Sequence, residues 1–179
     1  MAMERCEQII TYWLIPAEPA RSHFASLINN LAAGFDAPIF EPHLTLYVTK
    51  AENEDPSELL NRLLGENEAY RLSIGGIDCS DEFTKTLFVQ FEPDESLIDL
   101  SVNFRRASVC QNEYQLNPHL SLIYKTMARE TQNEIARSIS LPFTEVRFDS
   151  AKAVISPAAI TAREHVEAWR VVAARSFKE

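Results

Sequence analysis

Two stretches of this chain nearly coincide: FEPHLTLYV at 40–48 and LNPHLSLIY at 116–124. Each runs Pro, His, Leu, a hydroxyl residue and Leu, and each contains a tyrosine further on. The two histidines are half of the four in the chain. Both stretches are rich in β-formers, and along a strand side chains alternate between faces. His43 and Thr45 therefore share one face, and Leu44 and Leu46 share the other. His119 and Ser121 are likewise set against Leu120 and Leu122. Any fold of this chain must bury two leucine faces while leaving two imidazole–hydroxyl pairs on open faces.

The surrounding elements repeat as well. Helical spacing of Phe24, Leu27, Ile28 and Leu31 predicts a helix over 18–35, with Gly34 as its stop. After the first motif strand (43–48), Asp55 as a cap and Pro56 at the first helical position predict a helix over 55–66. Two strands follow at 70–80 and 85–92. From 94 the order recurs: helix 94–110, motif strand 119–124, helix 127–140, then strands 143–156 and 166–177. A first strand, QIITYWLIP at 8–16, precedes both series. The pattern predicts one α+β domain over 1–179, built from two pseudo-symmetric lobes at about 18–92 and 94–177. EPDES at 92–96 is the expected crossover. A pseudo-two-fold axis between the lobes lets the two His–hydroxyl pairs face each other across a cleft. Trp13 and Trp169 fall in the first and last predicted strands, as core residues or as a wall for a stacked base.

Two opposed imidazoles suit a defined task. With an ordinary pKa of about 6.5, one ring can be a neutral base at neutral pH while the other is a protonated acid. In-line displacement at phosphorus needs this division: one group takes the proton of the attacking water, and the other protonates the leaving oxygen. The hydroxyls of Thr45 and Ser121 can donate to non-bridging phosphate oxygens, where charge builds in the transition state. A cyclic phosphodiester fits, because its leaving oxygen stays tethered. The scheme requires no metal or other cofactor, and no set of Asp, Glu and Cys ligands surrounds the histidines in sequence. Either histidine can hold either role; we take His119 to activate water and His43 to protonate the leaving oxygen. His23 and His165 lack the His-x-hydroxyl pattern and are expected at the surface or as capping residues.

The net charge of −9 narrows the partners. Proteins that grip long nucleic acid neutralise several phosphates with Lys and Arg, and only Arg105 and Arg106 stand together here. This argues against long nucleic acid but not against a small phosphate ester in a local pocket. No apolar run is long enough for a membrane span. The segment MAMERCEQIITYW lacks the features of a secretory leader, so a cytoplasmic location is expected. Three spaced cysteines, Cys6, Cys79 and Cys110, suggest reduced thiols; whether Cys79 and Cys110 meet stays open.

The paired motifs resemble those of the 2H phosphoesterase superfamily. With the closing EAWRVVA, the chain looks most like the cyclic phosphodiesterase branch, along most of its length. The resemblance implies a bilobal (LigT-like) fold with antiparallel sheets facing a central cleft, and metal-independent hydrolysis. It implies His43 and His119 as the catalytic pair, Thr45 and Ser121 as phosphate-binding hydroxyls, and Tyr124 as a further ligand contact. Tyr124 stands an odd number of residues from His119, so a bend or bulge must bring it to the open face. The implied substrates are small cyclic phosphates: ADP-ribose 1″,2″-cyclic phosphate and nucleoside 2′,3′-cyclic phosphates. RNA end-processing, like the 2′-5′ RNA ligase-like branch, is the near alternative, and a non-catalytic nucleotide-binding module the alternative of another class. Plant members carry an aromatic residue and paired cysteines near the region matching EFTKTLFVQF. Here Phe83, Thr84 and Lys85 stand there without the cysteine pair. Phe83 is expected to stack on a base or pack in the core, and Lys85 to lie exposed at a strand end or to offer a positive charge.

Overall fold

The computed structural model describes residues 7–65 and 69–178. Cys6 and the start of the N-terminal segment lie outside them. The first strand, β1 (Gln8–Pro16), shows why its sequence is almost uniformly apolar. It is a central strand, paired antiparallel with β2 (Leu44–Lys50) on one side and β6 (Glu145–Pro157) on the other. Both of its faces are covered. Ile10, Tyr12 and Leu14 enter the main core, while Trp13 and Ile15 pack on the opposite face with Val154.

The remaining strands are β3 (Tyr70–Cys79), β4 (Leu87–Phe91), β5 (His119–Ile123) and β7 (Arg170–Ser176). All pair antiparallel, in the order β1-β2-β5-β4-β3-β6-β7, and β1 also pairs with β6. Six strands thus form a ring to which β7 is added. The ring is uneven. Between β2 and β5 the ladder narrows to a single pair, Leu44 opposite Leu120. Between β3 and β6 it runs from Tyr70 to Ser73. The strands therefore group as β2-β1-β6-β7 and β5-β4-β3, meeting at the two motif strands. In this arrangement β1 stands beside β2 as β4 stands beside β5.

Helices α1 (Ala20–Phe35), α2 (Pro56–Leu64), α3 (Glu95–Ala107) and α4 (Arg129–Ser138) add to this frame, with apolar stripes facing the core. Phe24, Ile28 and Ala32 on α1, and Leu97, Leu100 and Phe104 on α3, recur every three or four residues and are buried. Asp55 and Asp94 cap α2 and α3 by accepting from Glu58 N and Leu97 N, each at 2.9 Å. The crossover at 92–96 is therefore a capped helix start.

Several expectations need correction. The first helix runs past Gly34 and ends at Asp36, which takes the left-handed conformation (φ 50°, ψ 55°). Asp tolerates that region because its short polar side chain can bond locally. The predicted last strand begins too early: Arg163–Glu167 form a short helix, α5, and β7 starts at Arg170. Trp169 thus lies in the connection, not in a strand. Lys85, expected to open the strand 85–92, instead closes a 3₁₀ turn over Phe83–Lys85, and β4 starts at Leu87. His23 is not a plain surface residue; its ring packs edge-on against Phe24 and Phe143, and its Nε2 is buried. Cys79 and Cys110 are both free. Among the described residues, no helix is long and apolar enough to cross a membrane.

Candidate active site

The single β2–β5 pair sets the site. Continuing the antiparallel register by one residue each way from Leu44–Leu120 puts His43 opposite Ser121 and Thr45 opposite His119. The four polar side chains of the motifs thus come together on one face of the junction. Leu44, Leu46, Leu120 and Leu122 turn into the core and are fully buried.

Both motifs then bulge at the same place. Tyr12 pairs with Tyr47 and Trp13 with Thr45, so Leu46 is the extra residue on β2. Leu87 pairs with Ile123 and Phe88 with Ser121, so Leu122 is the extra residue on β5. The Leu46 carbonyl accepts a hydrogen bond from Ser101 Oγ of α3 at 2.7 Å. A bulge resets the alternation of faces. On β5 it turns Ile123 inward and brings Tyr124 toward the site, which strict alternation would forbid. Tyr124 is buried, stacked on Phe40 (centroids 4.0 Å apart, 9° between planes), with its phenol near the Ser121 side chain.

The proline before each histidine also has a structural consequence. Proline fixes its own φ and pushes the preceding residue toward an extended conformation. In each motif the carbonyl two residues before the histidine accepts a bond from the ring. His43 Nδ1 donates to the Glu41 carbonyl at 2.6 Å, and His119 Nδ1 donates to the Asn117 carbonyl at 2.7 Å. With Nδ1–H engaged, the free lone pair of each neutral ring resides on Nε2. Two imidazoles are thereby held in the same tautomer by the same device.

Their surroundings differ. His43 is 7 % exposed and stacked face to face on Trp13, at 3.7 Å and 14°. Phe40 and Trp169 close the box edge-on. Burial pushes the His43 imidazole down to about 4; the Glu41 carbonyl bond opposes the shift, and a charge on His119 would add to it. His119 is half-buried, with Phe88 edge-on at 5.4 Å. It is also lowered by burial, with the Lys85 charge acting the same way and the Asn117 carbonyl bond opposing. Lys85 Nζ lies 4.8 Å from the Phe88 ring centre, so this lysine stands in the electrostatic field of the site. Phe83 packs with the buried Phe40–Tyr124 cluster. Ser121 Oγ donates to the Thr84 carbonyl at 2.7 Å, and must leave it to donate to a ligand. Burial raises the Tyr124 phenol, keeping it protonated.

The structure brings together all five residues singled out in sequence: His43, Thr45, His119, Ser121 and Tyr124. Sequence reasoning missed three others beside them. Glu41 anchors His43. Lys152 on β6 binds both Glu41 carboxylate oxygens, at 2.8 and 2.6 Å. Gln90 on β4 stands opposite His119 in the ladder. A lone lysine in the apolar run SAKAVIS and a lone glutamine in LFVQF were the available signals. Among the described residues, no three His, Cys, Asp or Glu side chains converge as metal ligands would.

Comparison with known proteins bears on the family and the fold. Residues 9–177 match the family described as cyclic phosphodiesterase-like protein. The chain is similar to the cyclic phosphodiesterase of Arabidopsis thaliana, with 21 % identity over 125 residues, 69 % of each protein. Its fold is similar to that of E. coli LigT complexed with 3′-AMP, at a TM-score of 0.60 and 14 % identity, covering 97 % of this chain and 99 % of that one. The apo form of E. coli LigT gives a TM-score of 0.59 at 12 % identity, covering 96 % and 98 %.

Proposed function

We propose that this chain, which belongs to the cyclic phosphodiesterase-like family, hydrolyses nucleotide-sized cyclic phosphodiesters to phosphomonoesters by acid–base catalysis between His43 and His119. One observation carries the reading: two imidazoles, diagonal to each other on one face of the β2–β5 junction, each fixed through Nδ1 by the carbonyl two residues upstream. Binding alone does not need two titrating groups held in one tautomer. Nucleoside 2′,3′-cyclic phosphates and ADP-ribose 1″,2″-cyclic phosphate are the proposed substrates.

Both rings are shifted toward the neutral form without ligand. An anionic phosphodiester between them offsets the cost of one positive charge, so binding recruits the proton that catalysis needs. His119, the more exposed of the two, takes that proton more easily. His43, buried against Trp13, stays neutral. This supports His43 as the group that accepts the proton of water and His119 as the donor to the leaving oxygen, the reverse of the assignment adopted from the sequence. Thr45 and Ser121 donate to the non-bridging oxygens. Neutral Tyr124 supports Ser121 as that hydroxyl turns from Thr84 to the phosphate.

The test is incubation with a panel of cyclic phosphates in EDTA, with products followed by phosphorus NMR. We expect phosphomonoester from the cyclic mononucleotides or the ADP-ribose derivative. His43→Ala and His119→Ala should each lower kcat by at least about 10²-fold. Full activity of either variant would sink the mechanism. Tight binding without any product would establish a binding module instead. Preferred turnover of cyclic-ended oligonucleotides, with strong salt dependence, would establish RNA end-processing.

A further inference from the structure

The two residues whose carbonyls hold the histidines are themselves held through their side chains, Glu41 by a lysine of β6 and Asn117 by a glutamine of β4. The Glu41 main chain accepts from His43, and the Glu41 carboxylate is bound through both oxygens by Lys152 of β6. Arg21 of α1 reaches the same carboxylate at 2.6 Å from a more exposed position. The Asn117 main chain accepts from His119. Gln90 Nε2 of β4 donates to Asn117 Oδ1 at 3.1 Å and to the Pro118 carbonyl at 2.8 Å. Lys152 lies opposite Trp13 across the β1–β6 ladder, on the face that Trp13 shares with Thr45. Gln90 lies opposite His119 across the β4–β5 ladder.

We infer that Lys152 and Gln90 are positioning residues, each fixing one histidine through the residue that accepts its Nδ1 proton. The inference rests on the proposed roles of His43 and His119. A carbonyl on a connecting segment can rotate, and the ring that donates to it rotates with it or loses the bond. Residues 41–42 and 117–118 lie outside the strands; Phe91 N of β4 donates to the Pro118 carbonyl at 3.0 Å, but the Glu41 and Asn117 carbonyls that receive the histidines are not in a ladder. Tying the Glu41 side chain to β6 removes that freedom on one side of the site. Tying Asn117 and Pro118 to β4 removes it on the other. The two clamps differ in kind: an ion pair with both partners about one-quarter exposed on the His43 side, and neutral amide bonds on the His119 side.

The clamp differs from a direct phosphate contact, because it acts on the orientation of a base or acid and not on substrate binding. The test uses the full chain with Lys152→Met, Lys152→Arg, Glu41→Gln and Gln90→Met. Long-range proton–nitrogen NMR reads the tautomer of each histidine ring without requiring activity, and kinetics on a nucleoside 2′,3′-cyclic phosphate gives kcat and KM. In Lys152→Met we expect the His43 ring to move from the pure Nδ1–H form to a mixture, with His119 unchanged. In Gln90→Met we expect the reverse pattern. In both, kcat should fall about tenfold while KM changes less than about threefold. Lys152→Arg should restore the His43 tautomer and most of kcat. Glu41→Gln, which keeps the fold of the segment but loses the ion pair, should behave like Lys152→Met.

An unchanged His43 ring in both Lys152→Met and Glu41→Gln would overturn the inference for that side, and an unchanged His119 ring in Gln90→Met for the other. A change confined to KM would also overturn it, by showing that the side chain binds substrate. If the wild type turns over no cyclic phosphate, the proposed function fails, while the ring tautomers still decide the positioning.

Discussion

The buried, neutral state of His43 makes a quantitative prediction about stability and pH. In the unfolded chain its imidazole titrates near the ordinary value of about 6.5. In the folded protein burial lowers it to about 4. Between these values the unfolded state binds more protons, so folding stability rises with pH through that window. The contribution is fully present above about pH 6.5 and is lost as pH falls toward about 4. From the two values, acidification from pH 7 to pH 5 costs about 2 kcal/mol at this residue, and complete protonation about 3 kcal/mol. Trp13, stacked on the ring, favours the cation by roughly 0.5–2 kcal/mol, which trims the loss without reversing its sign. The assay is urea unfolding of wild type and His43→Gln at pH 7 and pH 5. Other titrating groups act in both proteins and cancel in the difference. The wild type should lose about 1–2 kcal/mol more than the variant over this range. Parallel losses would refute the reasoning, as would an NMR titration of His43 with a midpoint near 6.5. Adding a phosphate anion should shift that midpoint upward.

Two further outcomes follow from the packing around the site. Leu44→Ala removes a fully buried side chain at the ladder pair between β2 and β5, and should cost about 3–5 kcal/mol in unfolding experiments. Tyr124→Phe keeps the stack on Phe40 but removes the hydroxyl near Ser121. It should cost about 1 kcal/mol of stability and raise KM for a cyclic mononucleotide, measurable in steady-state kinetics.

Much of the candidate site was legible in the chain because alternation in a strand is a local property. His43 with Thr45, and His119 with Ser121, stand two residues apart, and their leucine neighbours mark the buried face. The capped helix starts at Asp55 and Asp94 were legible for the same reason. The errors arose where tertiary context overrides a local signal. Gly34 looked like a helix stop, but α1 continues to Phe35 and Asp36 takes the left-handed turn. VEAWRVV looked like one strand, but its first residues close a short helix, with Val166 buried beside Phe40 and Tyr124.

The sequence by itself determined which faces of the two motif strands are buried and which carry the imidazoles and hydroxyls. It also determined the order of helices and strands around them. Only the tertiary structure decided that the motif strands lie side by side, that both bulge one residue past the hydroxyl, and that Tyr124 consequently turns toward Ser121. It alone decided that Lys152, 111 residues from Glu41, and Gln90, 27 residues from Asn117, bond the side chains of the residues whose carbonyls accept from the histidines. The physical reason is range. Facing and capping depend on neighbours a few residues away, whereas register, bulges and side-chain clamps exist only after distant strands have paired.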